Sequence, residues 1–222
     1  MTRALDAQRR EPVSGETRSC VVFLHGYGAN AADLIGLADP LAEHMPDTLF
    51  ISPDAPEECL GAPMGRQWFP IPWIDGSSEE ESKRGLDAAA ADQDAFLDGV
   101  KVDEALLTEL VMVLGFSQGT MMALHVVPRR EDAIAGIVAF SGRLLEPELL
   151  ADATQSRPPV LLIHGDADDV VPPQSLPQAA EALQEAGWQE VYAHIMKGTG
   201  HGIAPDGLSV ALAFMRDRLG LG

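Results

Sequence analysis

Ser117, His201 and Asp168 are the residues whose types and settings could do covalent chemistry. Ser117 is the centre of Gly115-Phe116-Ser117-Gln118-Gly119, a G-x-S-x-G pentapeptide placed directly after the apolar run Val111 to Leu114 and directly before a helical pattern. A serine at a strand-to-helix turn is forced into a strained conformation, and small residues on either side let the two backbones pass closely. Its hydroxyl is thereby presented above the sheet edge, where the N-terminus of the following helix offers free N–H groups to a developing oxyanion. A serine hydroxyl needs a general base, and the base needs an acid to hold its tautomer. His201 lies in Gly198-Thr199-Gly200-His201-Gly202, after the last apolar run, where glycines leave the ring free to turn. The acid comes from His164-Gly165-Asp166-Ala167-Asp168-Asp169-Val170-Val171-Pro172, immediately after another apolar run. Spacing alone does not choose between Asp166, Asp168 and Asp169. The chemistry such a set performs is acyl transfer through a covalent serine intermediate.

A second glycine-containing turn, Leu24-His25-Gly26-Tyr27-Gly28, follows the first apolar run and suits the second oxyanion donor, so the expected donors are the backbone N–H groups of Tyr27 and Gln118. His25 and His164 each end an apolar run as His-Gly and read as buried, hydrogen-bonded structural rings, whereas His44, His125 and His194 sit in helical or strand patterns. No pair of histidines has metal-ligand spacing with carboxylates on one face, so neither a metal nor a cofactor is expected. Leu60 to Ile74 is apolar and aromatic but interrupted by Pro63, Pro70 and Pro72. Such a stretch is unusual for a mere connector, and its Trp68, Phe69 and Trp73 are candidates to line a site.

These residues need a rigid frame. Short runs rich in Val, Ile, Leu and Phe alternate with longer Ala-rich segments, the signature of a mostly parallel sheet covered by helices on both faces. Strands are expected at Cys20–His25, Thr48–Ser52, Leu110–Gly115, Ala133–Phe140, Val160–His164 and Tyr192–Met196. Helices are expected at Ala31–Glu43, Leu86–Leu107, Gln118–Val127, Gln174–Glu185 and Leu208–Leu219, from apolar residues recurring at three and four. Pro128 would end the helix after Ser117, and Pro158-Pro159 would close a loop just before a strand. The chain order Ser, Asp, His is that of an α/β-hydrolase fold. The expected organisation is a polar N-terminal segment over 1–19 and one α/β catalytic domain over 20–222.

Composition narrows the partners. The 15 Lys and Arg against 34 Asp and Glu leave a formal charge of −19, a field that repels phosphates and anionic lipid. Nucleic acid is therefore excluded, and a small-molecule ester substrate is expected with no stable membrane association. Two cysteines, Cys20 and Cys59, are too few for a disulfide framework and fit a reducing compartment. The polar start carries no apolar signal core, which points to a cytoplasmic protein, and no patch in the sequence decides between a monomer and a homodimer.

With these pieces in place the chain resembles the phospholipase/carboxylesterase family of small α/β hydrolases, which includes bacterial carboxylesterases and acyl-protein thioesterases. The resemblance runs from about Cys20 to Leu219 and rests on FLHGYG at Phe23–Gly28, PDAPE at Pro53–Glu57, WF at Trp68–Phe69, GFSQGT at Gly115–Thr120, HGDADDVVP at His164–Pro172 and GTGHGI at Gly198–Ile203. It implies that Asp168, the Asp of H-G-x-x-D-x-x-V-P, is the acid, that Tyr27 and Gln118 are the oxyanion donors, and that the stretch from Leu60 to Ile74 lies beside the serine, so that Trp68, Phe69 and Trp73 are the expected substrate-binding walls and the Tyr27 side chain narrows the pocket. Two residues depart from the family pattern: Tyr27 where leucine is common and Thr120 where a second glycine is common. The activity implied is a serine carboxylesterase for short to medium acyl chains, with acyl thioesterase or lysophospholipase as the alternative and a non-catalytic binding protein of the same fold as a further rival.

Overall fold

The apolar runs build the sheet. In the computed structural model, which describes residues 2–222, the strands are β1 (Ala7–Arg10), β2 (Ser19–Leu24), β3 (Thr48–Pro53), β4 (Glu57–Glu58), β5 (Arg66–Gln67), β6 (Val111–Phe116), β7 (Gly136–Phe140), β8 (Val160–Gly165) and β9 (Val191–Met196). Seven of them form one sheet in the order β1-β3-β2-β6-β7-β8-β9, with β4 and β5 as a separate two-stranded ribbon. Every neighbouring pair in the large sheet is parallel except β1 with β3. The helices are α1 (Ala31–Ile35), α2 (Ala38–Ala42), α3 (Pro72–Asp75), α4 (Glu79–Asp103), α5 (Gln118–Val126), α6 (Leu150–Ala153), α7 (Ser175–Glu185) and α8 (Pro205–Arg218).

The central strands are buried on both faces because side chains alternate across a sheet that helices cover on each side. Cys20, Val22 and Leu24 of β2 point into a core shared with α4, α5 and α7. Val21 and Phe23 point into the opposite core, shared with α1, α2 and α8. The fold is an α/β-hydrolase fold in one domain.

Four elements differ from the sequence expectation. The stretch 1–19 is not merely a polar segment: Ala7–Arg10 pairs antiparallel with β3, Gln8 facing Ser52, so the sheet begins before Cys20. All four β1 residues are exposed, which is why no alternation betrayed an edge strand. The helix expected over 31–43 is two short helices with Gly36 and Leu37 between them. Pro40 explains the break, since it has no N–H to continue a helix but is tolerated in the first turn of α2. Helix α4 begins at Glu79, seven residues before Leu86, where Ser78 and Glu81 cap each other reciprocally. The run expected from Ala133 pairs only from Gly136 onward.

Strand β6 is central, with β2 on one side and β7 on the other. The chain reverses its direction of travel across the sheet between β2 and β6, so the loops after these two strands diverge and leave a crevice at their carboxyl ends. That crevice receives the loops after β2, β6, β8 and β9.

Candidate active site

Ser117 is the hinge between β6 and α5, and its backbone carries φ 55° and ψ −115°. A positive φ is strained for a residue with a Cβ and persists only where the surroundings over-determine it. Here the Ser117 amide donates to the Phe140 carbonyl at 2.9 Å, tying the turn to β7. Gly119 lets the helix start lie against β2: a Cβ there would collide with the Leu24 carbonyl oxygen and stand 2.8 Å from that of His25.

Above this turn three side chains form a hydrogen-bonded line. His201 Nε2 lies 3.0 Å from Ser117 Oγ, and His201 Nδ1 lies 2.8 Å from Asp168 Oδ2. Asp168 is wholly enclosed, and its Oδ1 accepts the amides of Val170 and Val171, each at 2.9 Å. His164 Nε2 stands 3.2 Å behind Asp168 Oδ2 and 2.9 Å from the Val171 carbonyl. Burial pushes the Asp168 carboxyl up, but the hydrogen bonds from His201 and the two amides outweigh it and hold the group below the usual carboxylate range. An ionised acid in that place fixes the N–H of His201 on Nδ1, leaving Nε2 to accept a proton from Ser117. The Phe116 ring packs on His201, with ring centroids 5.0 Å apart. Asp166 does not reach His201; its Oδ1 accepts the Gly198 amide at 2.6 Å and ties down the histidine loop.

The loop after β2 passes directly over the serine, since a Cβ on Gly26 would stand 3.2 Å from Ser117 Cβ. The Tyr27 and Gln118 amides take part in no hydrogen bond among the described residues. As the first residue of α5, Gln118 carries an N–H that no helix carbonyl can satisfy. Two free donors thus sit one residue beyond Ser117 and one residue beyond Gly26, which packs on that serine. The loop is locked from behind by His25, whose Nδ1 faces the Gly26 carbonyl at 2.8 Å while Nε2 accepts the Ala55 amide at 3.0 Å. Burial lowers the pKa of His25, in keeping with this neutral, doubly bonded ring.

Of the three aromatic residues expected to wall a pocket, Trp68 does not reach it: the indole is fully buried in the core, with Nε1 donating to the His25 carbonyl at 2.9 Å. A side chain with no open surface cannot touch substrate, so Trp68 acts by holding the loop that carries Tyr27. Phe69 is 5% exposed and Trp73 66% exposed, on α3. The Tyr27 hydroxyl faces Asp75 at 3.4 Å, and Asp75 also accepts the Ile71 amide at 2.8 Å.

The side chain of Gln118 escaped the sequence reading. Its Oε1 accepts the Trp68 amide at 2.9 Å and its Nε2 donates to the Phe69 carbonyl at 2.7 Å. Gln118 thus clamps the Trp68–Phe69 strap onto the serine turn. Thr120, the departure from family glycine, has its hydroxyl 2.8 Å from the Gly115 carbonyl and 2.7 Å from that of Phe140, so it stitches β6 to β7 beneath the serine. The expected walls offered only composition as a signal; Gln118 and Thr120 stood within the serine motif itself. Among the described residues no group of His, Cys, Asp or Glu is arranged to hold a metal ion, and no helix is long and apolar enough to cross a membrane.

The sequence model of the phospholipase/carboxylesterase family matches residues 10–219. The chain belongs to that family. The solved structure of esterase PE8 is 40% identical to this chain and superimposes with a TM-score of 0.92, covering 98% of this chain and 100% of that one. Zea mays acyl-protein thioesterase 2 is 25% identical with a TM-score of 0.78, over 97% and 99% of the two chains. Among sequence relatives, esterase YpfH of Escherichia coli is 29% identical over 88% of this chain and 81% of its own. Acyl-protein thioesterase 1 of Gibberella zeae is 26% identical over 94% of each. The phospholipase/carboxylesterase chain described here is accordingly a hydrolase of the esterase and thioesterase type.

Proposed function

We propose that this chain is a serine carboxylesterase that hydrolyses esters of short to medium acyl chains through an acyl-enzyme on Ser117. The observation that carries the reading is the line from Ser117 Oγ to His201 Nε2 and from His201 Nδ1 to buried Asp168. Ser117 attacks the ester carbonyl while His201 takes its proton, and the oxyanion is held by the Tyr27 and Gln118 amides. His201 returns the proton to the leaving alcohol. Water, deprotonated by His201, then attacks the acyl-enzyme and releases the acid. Asp168 stays ionised throughout and stabilises the imidazolium. Phe69, Trp73 and Tyr27 are proposed to border the substrate.

The preference for shorter chains is supported by Tyr27 and the nearly enclosed Phe69 beside the turn, because each fitting methylene adds only about 0.8 kcal/mol and the gain ends where a wall stands. A thioesterase reading is favoured by one observation, that several relatives are named acyl-protein thioesterases. The discriminating experiment is kcat/KM for p-nitrophenyl esters from acetate to palmitate beside matched acyl thioesters. A maximum at short or medium esters is expected. A steady climb to the longest chain, or a preference for thioesters, would overturn the carboxylesterase reading in favour of the thioesterase.

A further inference from the structure

Two segments touch the serine turn and then leave it in different directions. On one side the strap Trp68–Phe69 is clamped by Gln118 and continues through Pro70 and Ile71 into α3, which carries Trp73. On the other side the loop after β7 passes so close that a Cβ on Gly142 would stand 2.7 Å from the Ser117 carbonyl oxygen, and the next residue is Arg143. The two segments meet again outside the turn, where the Arg143 guanidinium lies over the Trp73 ring at 5.3 Å from its centroid. Arg143 and Trp73 therefore bridge the two segments that leave the serine turn, and both are exposed. No carboxylate lies within ion-pair distance of Arg143 among the described residues, although the chain carries more than twice as many acids as bases. The nearest acidic residue in sequence, Glu146, is turned to Lys83 at 3.9 Å and His125 at 4.0 Å.

Arg143 also heads a groove of about 630 Å³ that runs between its loop and α7, with Leu144 and Pro147 on one side and Pro172 and Gln178 on the other. Pro172 lies four residues after Asp168, so one wall of the groove continues the loop that carries that acid. Glu181 and Glu185 also line it, on the later turns of α7. A guanidinium over an indole is held there by the ring's electrostatics and can still pair with a carboxylate through two parallel hydrogen bonds. In a protein whose overall field repels anions, such a group gives one local place where an anionic substrate is accepted.

We propose that Arg143 is a specificity-determining residue whose guanidinium receives a carboxylate carried by the ester substrate. This deepens the esterase reading and rests on it. The carboxylate can stand on the acyl side, as in the half-ester of a dicarboxylic acid, or on the leaving group, and paired substrates separate the two. The acyl-side pair is p-nitrophenyl hydrogen glutarate against p-nitrophenyl valerate. The leaving-group pair is the butyrate ester of para-hydroxybenzoate against that of para-hydroxybenzamide.

The readout is the anionic-to-neutral ratio of kcat/KM. Arg143→Gln should lower this ratio by about two- to fivefold in one of the two pairs, the upper part of the scale of an exposed ion pair. Arg143→Lys should keep part of the ratio, because the charge remains while the planar fork of donors is lost. Salt screens the general repulsion in both proteins, so on raising NaCl from about 0.05 to 1 M the anionic-to-neutral ratio of the unsubstituted protein should fall relative to that of Arg143→Gln, which a purely structural arginine would not produce. Ratios that stay within about twofold of the unsubstituted value in both pairs would overturn the proposal while leaving the esterase reading standing. If the unsubstituted protein turned over no ester of either pair, the esterase reading itself would fall, and the proposal with it.

Discussion

Replacing Gln118 by Met tests whether the serine turn and the aromatic strap are one mechanical unit. Methionine matches glutamine in length and leaves the backbone N–H of residue 118 in place, but it can neither accept the Trp68 amide nor donate to the Phe69 carbonyl. Both backbone groups are buried, and both are bonded only through this side chain, at 2.9 and 2.7 Å. A buried polar group left unpaired costs about 1–3 kcal/mol, so two such groups set a loss of roughly 2–5 kcal/mol, partly offset by the apolar replacement. For a chain of this size each kcal/mol shifts Tm by about 2–4 °C, which places the expected drop at roughly 5–15 °C. The assay is thermal unfolding followed by circular dichroism, with kcat/KM for p-nitrophenyl butyrate at a temperature well below both transitions. The strap holds Tyr27 through Trp68 and His25, so kcat/KM should fall together with Tm. A Tm within about 2 °C of the unsubstituted protein, less than a single kcal/mol of change, would refute the clamp.

Two further predictions follow from single side chains. Asp168→Asn should lower turnover by about 10^4-fold, by analogy with the effect of the same change in a serine protease triad, whereas Asp166→Asn should act mildly through the Gly198 tether; equal losses at matched Tm would refute the assignment. His125 is buried on α5 with Arg129, Asp87 and Glu146 as its charged neighbours, and burial, reinforced by Arg129, lowers its pKa from 6.5 to about 4. The unfolded chain then binds the proton more readily than the folded one between those values, so the folded state loses stability as pH falls through that window. Urea unfolding at pH about 7.5 and about 4.5 should show a smaller pH-dependent loss in His125→Leu than in the unsubstituted protein, and an equal loss in both would show that this histidine is not held neutral by burial.

Much of the frame and of the candidate site could be read from the residues because each feature is carried by a contiguous stretch. The buried strands β2, β3, β6 and β8 are apolar runs with a glycine or proline at or just after their ends, and the serine turn and the Asp168 loop follow two of them, while the His201 loop follows β9 and is marked by its own glycines. The choice among Asp166, Asp168 and Asp169 was not legible from spacing, since it depends on which carboxylate the Val170–Val171 turn directs at His201. Strand β1 was hidden because an edge strand with four exposed side chains looks like any polar segment. The start of α4, by contrast, was written in the pair Ser78 and Glu81, and the break between α1 and α2 in Pro40. Trp68 misled because an aromatic residue in a proline-rich loop reads as a pocket wall, while its indole N–H found a carbonyl in the core. The clamp made by Gln118 joins residues fifty positions apart, beyond the reach of any local pattern.

The central claim is that Ser117 is the nucleophile. It is tested most directly by treating the protein with a fluorophosphonate, locating the adduct by peptide mass spectrometry, and repeating the experiment and an esterase assay on Ser117→Ala. The account predicts a single adduct on Ser117, no adduct in the alanine protein, and turnover lowered by roughly 10^4-fold or more with the fold intact. An adduct on another residue, or an alanine protein that retains more than about a tenth of the activity, would contradict it.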